Sequence, residues 1–215
     1  MIPKQLHFVW IGDDSKMPVK CMDTWMQKNP DYKVNIWDNN SVSRNFWVNA
    51  KQLHEMLDKK DYAGAADIMR YEILCNEGGV YIDADSVCLK PLEDWLLECE
   101  AFACWEQEHI RNNLIANGFL GGVKGADFFK RCIDEVARRD CTENKLAWLI
   151  TGPMLVTDIY FKERPNLTVY PSHFFLPRHH TRYESTVTGH RFADHIWGSD
   201  TGYDNMDNEM EKKYG

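Results

Sequence analysis

The sequence predicts an α/β fold, a mainly parallel central sheet flanked by helices. Strand-like and helix-like segments alternate from the first residues onward, and such alternation builds parallel β-α-β crossovers. Residues 78–85, Gly-Gly-Val-Tyr-Ile-Asp-Ala-Asp, read as a buried strand that ends in two carboxylates. Ligands of open parallel sheets bind at the carboxyl ends of strands, so Asp83 and Asp85 stand where a site belongs. A length of 215 residues suits one domain with a full core.

The chain opens with Gln5-Leu6-His7-Phe8-Val9-Trp10-Ile11-Gly12, an apolar β-prone run stopped by Gly12 and two aspartates. Residues 17–29 place Cys21, Met22, Trp25 and Met26 at helical spacing, and Asn29-Pro30 ends them. Lys33–Trp37 alternates as a second strand and completes a β-α-β unit. Residues 41–60 are polar and read as helix. Ala65–Asn76 is a helix closed by Gly78-Gly79, the residue type that helix C-termini favour. Val80–Asp83 follows as the central strand, and Trp95, Leu96 and Leu97 as a short helical piece. Ala101–Trp105 and Phe119–Val123 read as strands. Asp127–Arg138 is amphipathic, with Phe128, Phe129, Cys132, Ile133 and Val136 on one stripe. Thr151-Gly152-Pro153 opens a helix to about Tyr160, with Thr151 as its N-cap. Leu167–Tyr170 is a late strand. Residues 1–203 are expected to form the single domain and 204–215 a polar, flexible tail.

A hydrophobic content of 44% is globular, and eight Trp, nine Tyr and ten Phe supply surfaces for stacking on ring-shaped ligands. The formal charge of −8 argues against a nucleic-acid binder, which needs a basic face. It suits an anionic ligand only where a metal or a few local cations neutralise it. No basic segment with an apolar run opens the chain, and no stretch approaches membrane-span length. The seven cysteines show no paired spacing; Cys75, Cys88, Cys99, Cys104, Cys132 and Cys141 fall mostly in apolar contexts. They read as reduced thiols, so a soluble cytoplasmic protein is expected.

Asp83 and Asp85 share a face of their strand and repel each other unless something cationic lies between them. A divalent metal with hard oxygen ligands answers that cost. A solvated turn or a phosphatase nucleophile are the other readings of the pair. Asp67 and Arg70 are three apart and so on one helix face. If their helix runs antiparallel to the strand it precedes, they overlook the same crevice; otherwise they are a surface ion pair. Trp10, at the end of the first strand beside Gly12, is either core or a platform for a nucleobase. His195 and Trp197 lie in a polar stretch, where His195 matters only if it folds back to complete a metal site. His179-His180 reads as an ordinary loop.

The chain resembles glycosyltransferase family 32, the DXD sugar transferases, and the catalytic domain of the large clostridial glucosylating toxins. The matching residues are Leu6-His7-Phe8-Val9-Trp10-Ile11-Gly12, Ala66-Asp67-Ile68-Met69-Arg70-Tyr71 with Leu74, and Gly78–Asp85. Thr151-Gly152-Pro153 and His195-Ile196-Trp197 follow in family order. The resemblance implies a GT-A, Rossmann-like fold and a retaining transfer of a hexose from a nucleotide-diphosphate sugar. A UDP-sugar is favoured over a GDP-sugar, because Trp10 resembles the uracil-stacking residue of the toxins. By the same resemblance Asp67 and Arg70 hold the sugar, Tyr81 lines the pocket, and Asp83 contacts ribose and metal-bound water. Asp85 binds Mn²⁺ or Mg²⁺ directly, and Trp197 belongs to the segment that closes over the diphosphate. The family continues that segment with Ser-Trp, whereas Asp200 follows Ser199 here, so the third metal ligand is His195, Ser199 or Asp200. Thr151, Gly152 and Pro153 fall to the acceptor side.

The implied acceptor is a glycan or lipid-linked oligosaccharide of surface polysaccharide synthesis, with peripheral membrane contact allowed. A haloacid-dehalogenase-type phosphatase with Asp83 as nucleophile is the chief alternative. It needs a second acidic pair at a strand end, but Asp127 and Asp134 lie on a helix and Asp194 lacks a partner. A sugar- or nucleotide-binding module without turnover and a protein-glycosylating effector are the remaining readings.

Overall fold

The computed structural model describes residues 1–187, 189–198, 202, 203 and 206–214. Its strands are β1 (Gln5–Val9), β2 (Lys33–Trp37), β3 (Gly79–Ile82), β4 (Ser86–Cys88), β5 (Ala101–Trp105), β6 (Ile115–Gly122), β7 (Thr168–Tyr170) and β8 (Ala193–His195). The helices are α1 (Val19–Lys28), α2 (Asn39–Arg44), α3 (Ala50–Asp58), α4 (Tyr62–Glu77), α5 (Asp127–Val136), α6 (Ala147–Ile150), α7 (Pro153–Glu163) and, last, α8 (Met206–Tyr214). The main sheet runs β2-β1-β3-β6-β5-β7. β1 pairs in parallel with β2 and β3, and β5 with β7. Only β6 is reversed, antiparallel to both of its neighbours. The mainly parallel sheet expected from the alternation is present.

Alternation along the strands sends side chains to two cores. On one face Val9, Tyr81 and Leu120 meet Ile68 and Leu74 of α4 and Phe128 and Phe129 of α5. On the other, Leu6, Phe8, Val80, Ile82 and Phe119 meet Trp25 of α1 together with Phe175 and Phe192.

The junction of α4 with β3 depends on glycine. Gly78 and Gly79 have φ of +69° and +104°. A Cβ on Gly79 would stand 2.8 Å from the Gln5 carbonyl and 2.9 Å from His7 Nε2. His7 itself is buried between strands and the turn, where its Nδ1 accepts from the Trp37 indole at 3.2 Å and its Nε2 faces the Gly78 carbonyl at 2.9 Å. Burial pushes the ring down to about 4, so it is neutral, and Nε2 carries the proton donated to Gly78. The tight reversal folds α4 back along β3. Ten helical residues from Glu77 to Asp67 retrace roughly 15 Å, and four strand residues from Gly79 to Asp83 advance roughly 13 Å. Asp67 and Arg70 therefore come level with the end of β3.

Four expectations are modified. Residues 41–60 are two helices, because the Glu72 carboxylate accepts the Val48 and Asn49 amides at 2.7 and 2.8 Å and holds the break between them. β6 starts at Ile115 rather than Phe119; Ala116-Asn117-Gly118 has weak strand propensity, and pairing with β5 overrides it. Thr151 ends α6, and Gly152 takes the N-cap position of α7 without a side-chain cap. The polar tail is helical over Met206–Tyr214: Met206 is buried, Lys20 pairs with Glu211 at 2.6 Å, and the Tyr214 hydroxyl donates to Asp194.

β6 carries glycines where aromatic rings cross it: a Cβ on Gly121 would fall 2.1 Å from the buried Phe102 ring. Gly121→Ala should destabilise the chain by about 1–3 kcal/mol through overpacking. Urea unfolding should show a lower midpoint at unchanged slope, and an unaltered midpoint would refute the close approach.

Candidate active site

Arg70 is the buried charge around which the site is built. Its Nη2 lies 3.1 Å from Asp67 and its Nη1 3.4 Å from Asp83. Nη1 also donates to the Asn117 carbonyl at 2.7 Å, and the guanidinium sits 4.2 Å from the centroid of the Tyr81 ring. Helix α4, the end of β3 and the middle of β6 are thereby pinned together. Asp67 is held from three sides, by Arg70, by Asn117 Nδ2 at 2.7 Å and by the Thr151 hydroxyl at 3.0 Å. Burial still pushes its carboxyl up to about 6, against the pull of Arg70, Asn117 and Thr151.

Asp83 and Asp85 lie beyond β3, and the ladder of β4 with β8 brings His195 to them. Ser86 stands opposite His195, and the Ile196 amide donates to the Asp85 carbonyl at 3.0 Å. His195 Nε2 lies 3.3 Å from Asp83 Oδ2 and 3.3 Å from Asp85 Oδ1. The other Asp85 oxygen accepts the Gly198 amide at 2.8 Å, and Asp83 Oδ1 accepts the Tyr81 hydroxyl at 2.9 Å. A side chain at Gly118 would collide with Asp83 Oδ2 at 2.3 Å, so that glycine fixes where the carboxylate can lie.

The charges explain each other. Burial alone would raise Asp83, but Arg70 and then His195 hold it well below the usual carboxylate range. Burial raises Asp85, with His195 opposing and Asp83 adding to the rise. Burial would lower His195, yet Asp85 and Asp83 bring it up to about 9. The Trp197 amide, which donates to His195 Nδ1 at 2.9 Å, opposes this, and two carboxylates outweigh one amide dipole. The ligand atoms of Asp83, Asp85 and His195 lie within 4.8 Å of one another. Two carboxylates and an imidazole around one point are a donor set that can hold a divalent ion. His195 Nε2 points between the two carboxylates, the position where their repulsion calls for positive charge.

These groups line a cavity of about 480 Å³ with Trp10 at one side. Trp10 donates from its indole to the Asp13 carbonyl at 3.0 Å and meets Tyr203 edge-on at 5.1 Å. Asp67, Arg70, Tyr81, Asp83, Asp85, His195 and Pro153 share the lining. Thr151 does not: it is buried, and its hydroxyl goes to Asp67. Gly152 is packed behind the same carboxylate, 3.0 Å from Asp67 Oδ2 to its would-be Cβ. Trp197 is outside the lining too; its indole donates to the Arg178 carbonyl at 3.1 Å and its ring backs His195 at 4.6 Å. Ser199 and Asp200 lie outside the described residues. Sequence reasoning missed Asn117, Lys16, Tyr62, Trp148 and Tyr203 in the lining. Asn117 had a signal, a lone amide inside the apolar run Leu114–Leu120.

Residues 15–102 match the family model described as "Glycosyltransferase sugar-binding region containing DXD motif". An uncharacterised glycosyltransferase of Acanthamoeba polyphaga mimivirus is 35% identical over 56% of this chain and 50% of its own length. The Subversion of eukaryotic traffic protein A of Legionella pneumophila is 24% identical over 63% of this chain and 25% of its own length. The Initiation-specific alpha-1,6-mannosyltransferase of Candida albicans is 34% identical over 46% of this chain and 28% of its own length. The chain thus spans half or less of these relatives. Among solved structures, the PaToxG glycosyltransferase superposes with a TM-score of 0.59 at 18% identity, over 75% of this chain and 69% of that one. The UDP-bound glycosyltransferase domain of the YGT toxin gives 0.54 at 10% identity, over 78% and 79% of the two chains. The galactosyltransferase LgtC gives 0.51 at 13% identity over 98% and 96%, and with it the GT-A fold expected from the sequence.

The cluster predicts a pH signature in metal-free protein. The folded value of His195 is raised from 6.5 to about 9, so its contribution to stability is fully present below pH 6.5 and lost as the pH rises through 9. The melting temperature should fall across that window in the native chain and stay flatter in His195→Gln. Parallel curves for the two proteins would refute the pairing.

Proposed function

We propose that this chain, which matches the DXD glycosyltransferase family model over residues 15–102, moves a hexose from a nucleotide-diphosphate sugar to a glycan hydroxyl with retention of anomeric configuration. One observation carries the reading: Asp67 and Arg70 on a helix, Asp83 and Asp85 beyond a strand, and the distant His195 line a single cavity beside Trp10. An aromatic wall, a sugar-holding ion pair and a cation-demanding carboxylate pair are what a base, a hexose and a diphosphate each require. The donor is a UDP-sugar in this reading, supported by Trp10 and by the UDP-bound YGT toxin neighbour. The acceptor belongs to surface polysaccharide or lipid-linked oligosaccharide synthesis. The setting is the cytoplasm, with peripheral access to a membrane; among the described residues no helix is long and apolar enough to cross one.

Asp85 would hold Mn²⁺ or Mg²⁺ directly, Asp83 through water, and His195 would supply the third protein ligand. When bound, such an ion supplies Lewis-acid stabilisation of the departing diphosphate. The chain's own residues do the rest. Arg70 keeps Asp67 and Asp83 ionised and aimed, and Asp67 orients the sugar hydroxyls. Asp67 is a poor nucleophile, because Arg70, Asn117 and Thr151 already occupy its oxygens. The acceptor hydroxyl therefore attacks on the face the diphosphate leaves, and a departing phosphate oxygen takes its proton. The same engagement weighs against Asp83 as a phosphatase nucleophile, since Tyr81, Arg70 and His195 already meet its two oxygens. The Legionella relative and the toxin neighbours support a protein-glycosylating effector as the second reading.

A thermal-shift panel of UDP- and GDP-sugars with Mn²⁺ should single out one donor, and turnover should follow for it. Asp85→Ala should lower metal-dependent turnover by about 10²-fold or more, as for loss of a main electrostatic stabiliser. Unchanged turnover would refute the metal assignment. Because a protonated His195 competes for the same carboxylates, Mn²⁺ should bind more tightly as the pH rises toward 9. Calorimetry at several pH values measures this, and a pH-independent affinity would contradict it.

A further inference from the structure

We propose that Trp148, braced by Arg111, is the stacking platform for a saccharide acceptor; this rests on the transferase reading above. The cavity crosses the sheet from Trp10 after β1, past Asp83 and Asp85 after β3, to Asn117 on β6 and Trp148 on α6. A donor laid along it, base on Trp10 and diphosphate at the two aspartates, brings its hexose to Asp67 and Arg70. Trp148 stands immediately beyond. A Cβ on Gly152 would touch both the Trp148 Cα, at 2.9 Å, and Asp67 Oδ2, at 3.0 Å, so only a glycine's width separates the indole's backbone from the sugar-holding carboxylate. The hydroxyl that attacks the anomeric carbon must arrive beside that wall.

The indole is half-buried, and its orientation is held from outside the cavity. The Arg111 guanidinium lies 5.1 Å from the Trp148 ring centroid, and its Nε is 3.6 Å from Glu106 Oε1. Glu106 is buried and faces His179 Nε2 at 3.2 Å. His179 Nδ1 in turn meets the Thr181 hydroxyl at 2.8 Å. Glu106, His179 and His180 approach one another closely enough to hold a metal. Both nitrogens of His179 are engaged, however, and Glu106 already faces a guanidinium, so a second cation there would be repelled. The chain of contacts acts as a brace for the platform. With the guanidinium over the ring, the indole offers a flat, oriented π surface of the kind on which the apolar C–H face of a pyranose stacks.

The test compares donor hydrolysis, in which water is the acceptor, with transfer to a panel of methyl hexosides. In Trp148→Ala the acceptor KM should rise about tenfold or more while donor KM and hydrolysis stay within about twofold. Trp148→Phe should recover most of the loss, and melting curves establish that both variants fold. An unchanged acceptor KM overturns the proposal, as does a donor KM that rises in step. Transfer confined to peptide acceptors overturns it as well. Failure of the native chain to hydrolyse any nucleotide sugar would instead sink the transferase reading, and this platform with it.

Discussion

A single buried guanidinium organises the molecule. Arg70 is 5% exposed, and a charge so placed persists only when it is paired and hydrogen-bonded on every side. Its partners come from three elements: Asp67 on its own helix, Asp83 beyond β3, and the Asn117 carbonyl on β6. Removing one partner of such a group costs about 3–5 kcal/mol, because the others are left as uncompensated buried charges. The reversed strand β6 is part of the same constraint. Its Asn117 meets Arg70 through the backbone and Asp67 through the side chain, and its Gly118 leaves room for the Asp83 carboxylate.

From that fixed point the rest of the site follows as compensation of charge. Arg70 serves Asp67 and Asp83 but leaves Asp85 short of a cation. The two-stranded ladder of β4 and β8 supplies one in His195, and the Gly198 amide meets the remaining Asp85 oxygen. β8 is itself secured from behind, where Asp194 takes Arg178 at 2.7 Å and Lys213 at 3.2 Å, together with the Tyr214 hydroxyl. The final helix thus bears on the site through one residue next to His195. An imidazole at this position can lose its proton and so could turn from a partner of the carboxylates into a ligand of a divalent ion, a change that a lysine or arginine makes far less readily.

Much of this was legible from the residues. The strand Lys33–Trp37, the turn at Gly78-Gly79 and the pairing of Asp67/Arg70 with Asp83/Asp85 follow from periodicity and from the geometry of a helix folded back on the next strand. The site's far wall was not. Asn117 lay in a segment whose Ala and Gly disguised a strand, and Trp148 sits on a four-residue helix too short to show any period. Trp197 was misplaced because a tryptophan two residues from a metal candidate gives no hint of which way it turns. In the fold it adopts φ of +60° and faces His195 and Arg178 instead of the cavity.

The sequence by itself determined the alternation of strands and helices, the carboxylates at the end of the central strand, and the ion pair that overlooks them. Those depend on local propensity and on spacing within about twenty residues, which the order of residues records directly. Tertiary structure alone decided that Thr151 supports Asp67 rather than capping a helix, that His195 lies between the two aspartates, and that Trp148 stands beyond them. Each of these placements joins residues more than 60 apart, and such closures are set by which faces pack together, for which a single chain of letters carries no period.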